Sequence, residues 1–334
     1  MMKQFLIVCG SIGLLSIASA FTLHNNPPGK KSGKAAAIRT VIIDPGHGGL
    51  YSGTRGLISL EKNVNLEIGL KLGEAIRTEF PDIKVIYTRT TDACSGNASN
   101  LKDDLHNRAS IANDSRGDLF ISIHCNATQQ PAGGYYLKRV IGHRKKTVMV
   151  GRGKKKRKKT INEPIYEAYW VKNMRVGTET YIWKAEKKSD KLNAINRNDE
   201  TNEESGEVIE DSTAEASAFD INSIEGKIRV QLYEKKFFTS SAFLASLVEE
   251  EFKAAGRTSF GVKQRDVGIQ VLQATGMPSV LIETGFLSNK EEEEYLNSAK
   301  GQEELVGNII DAFKKYKQSM ETKPGGKAAG GAKK

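Results

Sequence analysis

Thr40-Val41-Ile42-Ile43-Asp44-Pro45-Gly46-His47-Gly48-Gly49 decides the fold. A β-branched run halted by Pro-Gly reads as a short buried strand entering a loop. Beyond that loop the period changes. Val64, Ile68, Leu72 and Ile76 recur every fourth residue after Glu61, which predicts a helix of about four turns facing a core. Val85-Ile86-Tyr87 predicts a second strand, Leu101 to Asn113 a second helix, and Leu119-Phe120-Ile121-Ser122-Ile123 a third strand. Strand and helix alternating in this way are the pattern of a mostly parallel sheet.

The pattern stops after the third strand and resumes near Gln231. Phe238, Ala242, Ala245, Val248 and Phe252 predict a long helix, and Leu305, Ile309, Ala312, Phe313 and Tyr316 a closing one. Between them, Ile269-Gln270-Val271-Leu272 and Val280-Leu281-Ile282 read as strands. The expected fold is therefore α/β: a single open, mostly parallel sheet flanked by helices, with a long charged insertion at about 139–230. Within that insertion only Thr178-Glu179-Thr180-Tyr181-Ile182 suggests a strand.

The chain has 334 residues, 38% of them hydrophobic and 27% charged, with 8 Pro. Such a composition is that of a globular chain and excludes wholesale disorder, collagen-like repeats and a multi-span membrane protein. The net charge of +10 is local. Lys138 to Lys159 holds 12 Lys or Arg and no acid, whereas Asp199 to Glu225 holds ten acids and no Lys or Arg. The remainder is close to neutral.

Residues 1–20 read as an export signal: Lys3 is the positive start, Phe5 to Ile17 the apolar stretch, and Ala18-Ser19-Ala20 the small residues for cleavage. The mature chain is expected to start at Phe21, in the periplasm or cell envelope. Residues 21–37 read as a linker, 38–320 as the folded domain and 321–334 as a disordered Gly/Lys tail. Cys94 and Cys125 permit one bridge, and two unpaired thiols are the expectation.

Open α/β sheets place their sites beyond the carboxyl ends of the strands. His47 follows the first predicted strand, His124 follows the third, Glu61 begins the first helix and Glu283 ends the strand Val280-Leu281-Ile282. Each has a bland role available: a hydrogen-bonded strand-end His, a first-turn carboxylate, an ion-pair partner. Together, two imidazoles and one carboxylate make a three-ligand zinc site with one position left for water. A second carboxylate off the metal would then move the proton. His47, Glu61 and His124 are the candidate zinc ligands and Glu283 the candidate catalytic carboxylate.

Five ordered blocks carry a resemblance. They are Val41 to Gly49; Glu61-Lys62-Asn63-Val64-Asn65-Leu66; Thr88-Arg89 with Leu105, Arg108, Ala112 and Asn113; Ser122-Ile123-His124-Cys125-Asn126-Ala127; and Met277 to Asn289. The chain resembles, over about 38–138 and 230–318, the zinc-dependent N-acetylmuramoyl-L-alanine amidases of bacterial cell walls, in the family of the cell-division amidases. The resemblance implies the same four roles and hydrolysis of the amide joining N-acetylmuramic acid to the L-alanine of peptidoglycan stem peptides. Asn126 is a candidate substrate contact, while Cys125, one position after His124, should face the core. Arg108 and Asn113 are expected to tie the second helix to the sheet.

In some cell-division relatives an insertion at a similar point includes a helix that covers the zinc until a partner displaces it. The resemblance thus raises an activator protein acting on the insertion. Glu207 and Glu210 lie at helical spacing, but the acidic run is read as a solvated loop. Lys154 to Lys159 would suggest nucleic acid in an intracellular chain; with export, nucleic acid is not expected, and the run reads as a solvated basic loop or as a contact for an anionic envelope polymer, phospholipid headgroups or the acidic run of the same insertion. Two other functions share the pattern: a noncatalytic peptidoglycan-binding or regulatory protein on the same fold, and a zinc peptidase cutting within the stem peptide.

Overall fold

The structure is a computed structural model that describes residues 38–184, 224–265 and 268–322. The signal, the linker, most of the acidic run with Glu207 and Glu210, and nearly all of the tail lie outside the described residues. No described helix is long and apolar enough to cross a membrane.

In chain order the elements are β1 (Thr40–Pro45), α1 (Glu61–Glu79), β2 (Lys84–Tyr87), α2 (Leu101–Asp114), β3 (Leu119–Asn126), β4 (Gly134–Val150), β5 (Arg157–Lys172) and β6 (Thr178–Trp183). Then follow α3 (Ile224–Ala254), β7 (Ser259–Arg265), α4 (Gln270–Ala274), β8 (Ser279–Phe286), α5 (Lys290–Asn297) and α6 (Ala299–Thr322). Six strands form one sheet in the order β2-β1-β3-β8-β6-β7. Every neighbouring pair is parallel except β6 with β8.

Period-two alternation distributes the sheet's side chains over two cores. Val41, Ile43, Leu119, Ile121 and Ile123 meet Ile68 and Leu72 of α1, Val248 and Phe252 of α3, and Ile309 and Phe313 of α6. Ile42 and Phe120 point the other way and meet Ala112 of α2, Leu272 of α4 and Trp183 of β6. Helices thus cover both faces, and the near-continuous apolar runs of β1, β3 and β8 follow from burial on both sides.

Three parts of the chain depart from the sequence reading. Ile269-Gln270-Val271-Leu272, expected as a strand, forms the short helix α4 with Val271 and Leu272 buried; an apolar run of that length carries no period to separate the two states. The stretch 139–230 contains β6, a fully buried strand of the main sheet, so it is not a single excursion. The basic run lies on a two-stranded antiparallel ribbon, β4 paired with β5 from Gly134↔Lys172 to Val150↔Arg157.

Candidate metal centre

β1 delivers the first candidate ligand through a strained loop. After Pro45 the chain turns at Gly46, and His47 takes φ 59, a left-handed conformation seldom adopted by a residue other than glycine. Two buried arginines hold it there. Arg89 donates from Nε to the Pro45 carbonyl at 2.8 Å and from Nη2 to the Gly46 carbonyl at 2.9 Å. Arg108 donates from Nη1 to the Pro45 carbonyl at 2.9 Å and from Nη2 to the His47 carbonyl at 2.6 Å.

Arg108 is itself held by Asp44 Oδ1 at 2.7 Å and by Asp104 at 3.0 Å. Thr88 and Ser122 donate their hydroxyls to the two Asp44 oxygens, each at 2.6 Å. Burial alone would raise the Asp44 carboxyl, but the Arg108 charge and these hydroxyls hold it below the usual carboxylate range.

The three candidate ligands meet over one carboxylate. His47 Nε2 lies 3.2 Å and His124 Nδ1 2.9 Å from Glu61 Oε1. The ligand atoms of His47, Glu61 and His124 all fall within 4.8 Å of one another. Glu61 is fixed by the Thr54 N–H to Oε2 at 2.7 Å and the Cys125 N–H to Oε1 at 3.2 Å. Although burial works against its charge, the two histidines hold the Glu61 carboxyl far below its ordinary range. Two nitrogens and an oxygen converging on one point are the donor set of a divalent metal such as zinc, so the residues fit a metal ion.

The sheet sets the fourth group beside them. In register, His124 of β3 pairs with Glu283 of β8, and Glu283 pairs with Glu179 of β6. Glu283 is buried, and its Oε2 has no hydrogen-bond partner among the described residues. Burial, then the nearby Glu61 charge, pushes its carboxyl well above the ordinary range. A cleft of about 400 Å³ opens over these groups, lined also by Thr54, Asn126 and Arg265.

The family model described as N-acetylmuramoyl-L-alanine amidase matches residues 41–315. The chain belongs to that family. It is 27% identical over 293 residues to the amidase AmiC of Escherichia coli O6:H1, covering 86% of this chain and 55% of that protein. To AmiA of Escherichia coli K12 it is 23% identical over 294 residues, covering 88% and 80%. The chain thus spans about half the length of AmiC. Among solved structures, the CwlD amidase of Clostridioides difficile in complex with the GerS lipoprotein shares the fold, at a TM-score of 0.51 and 24% identity over 84% of this chain and 99% of that one.

In this amidase-family chain the four site residues named from the sequence come together in one cleft. Cys125 points away from them, into the core, where its Sγ lies 3.3 Å from Thr284 Oγ1. Cys94 and Cys125 are both free and buried. Asn113 binds not the sheet but the end of α4 and the turn after it, through the Ala274 carbonyl at 2.9 Å and the Gly276 N–H at 2.8 Å. Asn126 lines the cleft with both ends of its amide engaged: it donates to Glu179 and accepts from the Ala127 N–H.

Sequence reasoning missed the groups behind Glu283. Glu179 is buried and accepts from Asn126, from the Tyr181 hydroxyl at 2.7 Å and from Lys263. Arg265 stacks over the Tyr181 ring with its Cζ 3.9 Å from the centroid. The available signal was Glu179 itself, an acid inside a run of β-branched and aromatic residues.

Proposed function

We propose that the chain is a zinc-dependent N-acetylmuramoyl-L-alanine amidase, hydrolysing the amide between the lactyl group of N-acetylmuramic acid and the L-alanine of peptidoglycan stem peptides. The observation that carries this reading is the buried, unpartnered Oε2 of Glu283 beside the His47–Glu61–His124 ligand set.

His47, Glu61 and His124 would hold the zinc. When bound, it supplies a Lewis acid for the scissile carbonyl and lowers the pKa of water to about 7. Glu283 Oε2 takes the proton of the attacking water as the oxygen–carbon bond forms, then gives it to the alanine nitrogen as the carbon–nitrogen bond breaks. Burial suits Glu283 to this role, because a carboxyl with raised proton affinity accepts a proton more readily than an ordinary one. The Thr54 and Cys125 N–H groups keep Glu61 aimed at the ligand position. Arg89 and Arg108 keep the His47 loop from relaxing.

An export signal at residues 1–20 supports a periplasmic or envelope location, where the substrate lies. The basic tip of the ribbon, Lys154–Lys159, supports contact with an anionic envelope polymer. An activator protein is the further partner we infer, by analogy with the similar amidase solved with a lipoprotein.

Mass spectrometry of peptidoglycan treated with residues 21–334 tests the reading. Free stem peptides beginning with L-alanine, lost with chelator and regained with zinc, are the expected products. Cleavage only within the stem peptide would overturn it.

A further inference from the structure

The β4–β5 ribbon leaves the sheet beside the cleft. Asn126 and Ala127 line the cleft, and the short loop 128–133 joins them to the ribbon's first residue, Gly134. Near this root one face of the ribbon is aromatic. Tyr136 sits opposite Trp170, Lys138 opposite Ala168 and Val140 opposite Tyr166. Alternation along each strand puts these six side chains on the same face. Tyr136 is 70% exposed, Trp170 52% and Tyr166 57%. A contiguous exposed patch of this kind marks a binding surface.

The rings at the root are seated rather than loose. Tyr136 and Trp170 meet edge to face with centroids 5.0 Å apart. Trp170 lies on the bare backbone of Gly134, at φ 148, where a β-carbon would come within 2.6 Å of Cζ2. A ring already held in place loses little freedom when a ligand covers it.

The dimensions and charge narrow the ligand. Trp170 and Tyr166 stand roughly 13 Å apart by strand rise, the span of a few linked pyranose rings, with Lys138 between them. Flat sugar faces stack on aromatic rings, and an ammonium set between the rings meets carboxylates carried by the polymer. Across Gly134–Lys172 thirteen Lys or Arg stand against two Glu, so the partner is anionic. A flat anionic bilayer fits less well. It would engage the basic cluster Arg152–Lys159 at the far end, roughly 30 Å from Tyr166 and 45 Å from Trp170, whereas a polymer leaving the cleft passes the rings first.

We propose that Tyr136, Trp170, Tyr166 and Lys138 form a glycan-strand subsite that guides carboxylate-bearing peptidoglycan along the ribbon root into the cleft; this rests on the amidase reading above. The test compares intact sacculi with a soluble muramyl peptide, in the unmodified chain and in the double variant Tyr136→Ala/Trp170→Ala. The ratio of kcat/KM on sacculi to that on the muramyl peptide is expected to fall about tenfold, through KM, as two stacking rings are lost. Tyr166→Ala should lower the ratio less. The same double substitution in a Glu283→Ala chain should weaken co-sedimentation with sacculi about tenfold.

An unchanged ratio with unchanged co-sedimentation overturns the subsite. So does intact sacculus binding accompanied by lost binding to anionic phospholipid vesicles, or by conversion of a dimer to a monomer, each of which names another occupant. If the unmodified chain cleaves neither substrate, the chain is either noncatalytic or held shut without its partner, and co-sedimentation decides the subsite by itself.

Discussion

A β-carbon at Gly46 would overlap the His124 imidazole, so Gly46→Ala must move a ligand side chain or the loop that carries the other. The expected result is loss of metal with little loss of fold, seen as a substoichiometric zinc content beside a normal far-ultraviolet spectrum. Glu283→Ala should behave in the opposite way: full metal, and turnover reduced by at least roughly 10²–10⁴. His47→Ala should lose zinc, and full zinc in that purified variant would contradict the ligand assignment. The sequence could bring the four candidate residues together because His47 follows β1, Glu61 opens α1, and His124 and Glu283 lie in the carboxyl-terminal halves of β3 and β8, the side of an α/β sheet where sites form. Glu179, Lys263 and Arg265 were not, because β7 is a half-exposed edge strand whose Ser, Lys and Gln dilute the strand signal and hide its register. Glu179 lay within a stretch taken for insertion, so nothing in the sequence set it opposite Glu283.

Between the elements, the Asp44–Arg108 pair joins β1, α2 and the His47 loop in one buried network. Arg108→Ala would leave Asp44 buried without its counter-charge, a loss of about 3–5 kcal/mol in unfolding free energy. Urea titration measures this, and zinc affinity should fall with it because the His47 carbonyl loses its clamp. The pH dependence follows from the direction of the Asp44 shift. Its carboxyl is held below the unfolded value, so the stabilisation is complete above the unfolded Asp pKa of about 4 and is lost as pH falls through the folded value. Asp44→Asn should therefore flatten the acid limb of the stability curve, and an unaltered limb would assign acid unfolding to other groups. The helices of this layer were readable from their four-residue period, but α4 was not. Its apolar residues Val271 and Leu272 are adjacent, and only packing against Ile42 and Phe120 decides that five residues coil rather than extend.

At the scale of the whole molecule, the ribbon and the sheet are separable. Among the described residues, no hydrogen bond or ion pair joins 135–171 to the rest of the chain; its ion pairs, Arg139–Glu167, Arg144–Glu163 and Lys146–Glu163, stay within it. Those pairs are exposed and contribute little. An isolated two-stranded hairpin is marginal in water, so the ribbon draws its order from its root, where Gly134 pairs with Lys172 and Lys172 reaches Glu291 of α5. The sequence concealed this arrangement because a polybasic run reads as a solvated loop, and only the β-branched and aromatic residues alternating with the lysines favour strands. Replacing 135–171 by a two-residue turn should leave the sheet intact, since Gly134 and Lys172 already face each other and a shorter closure costs less entropy. The midpoint of urea unfolding should then shift by no more than the equivalent of about 0.5 kcal/mol, the range of surface changes. Metal binding should persist, and cleavage of a small muramyl peptide should survive while sacculus cleavage falls. A collapse of the unfolding transition would instead make the ribbon part of the folding unit, and the basic arm would then stabilise the sheet that carries the site.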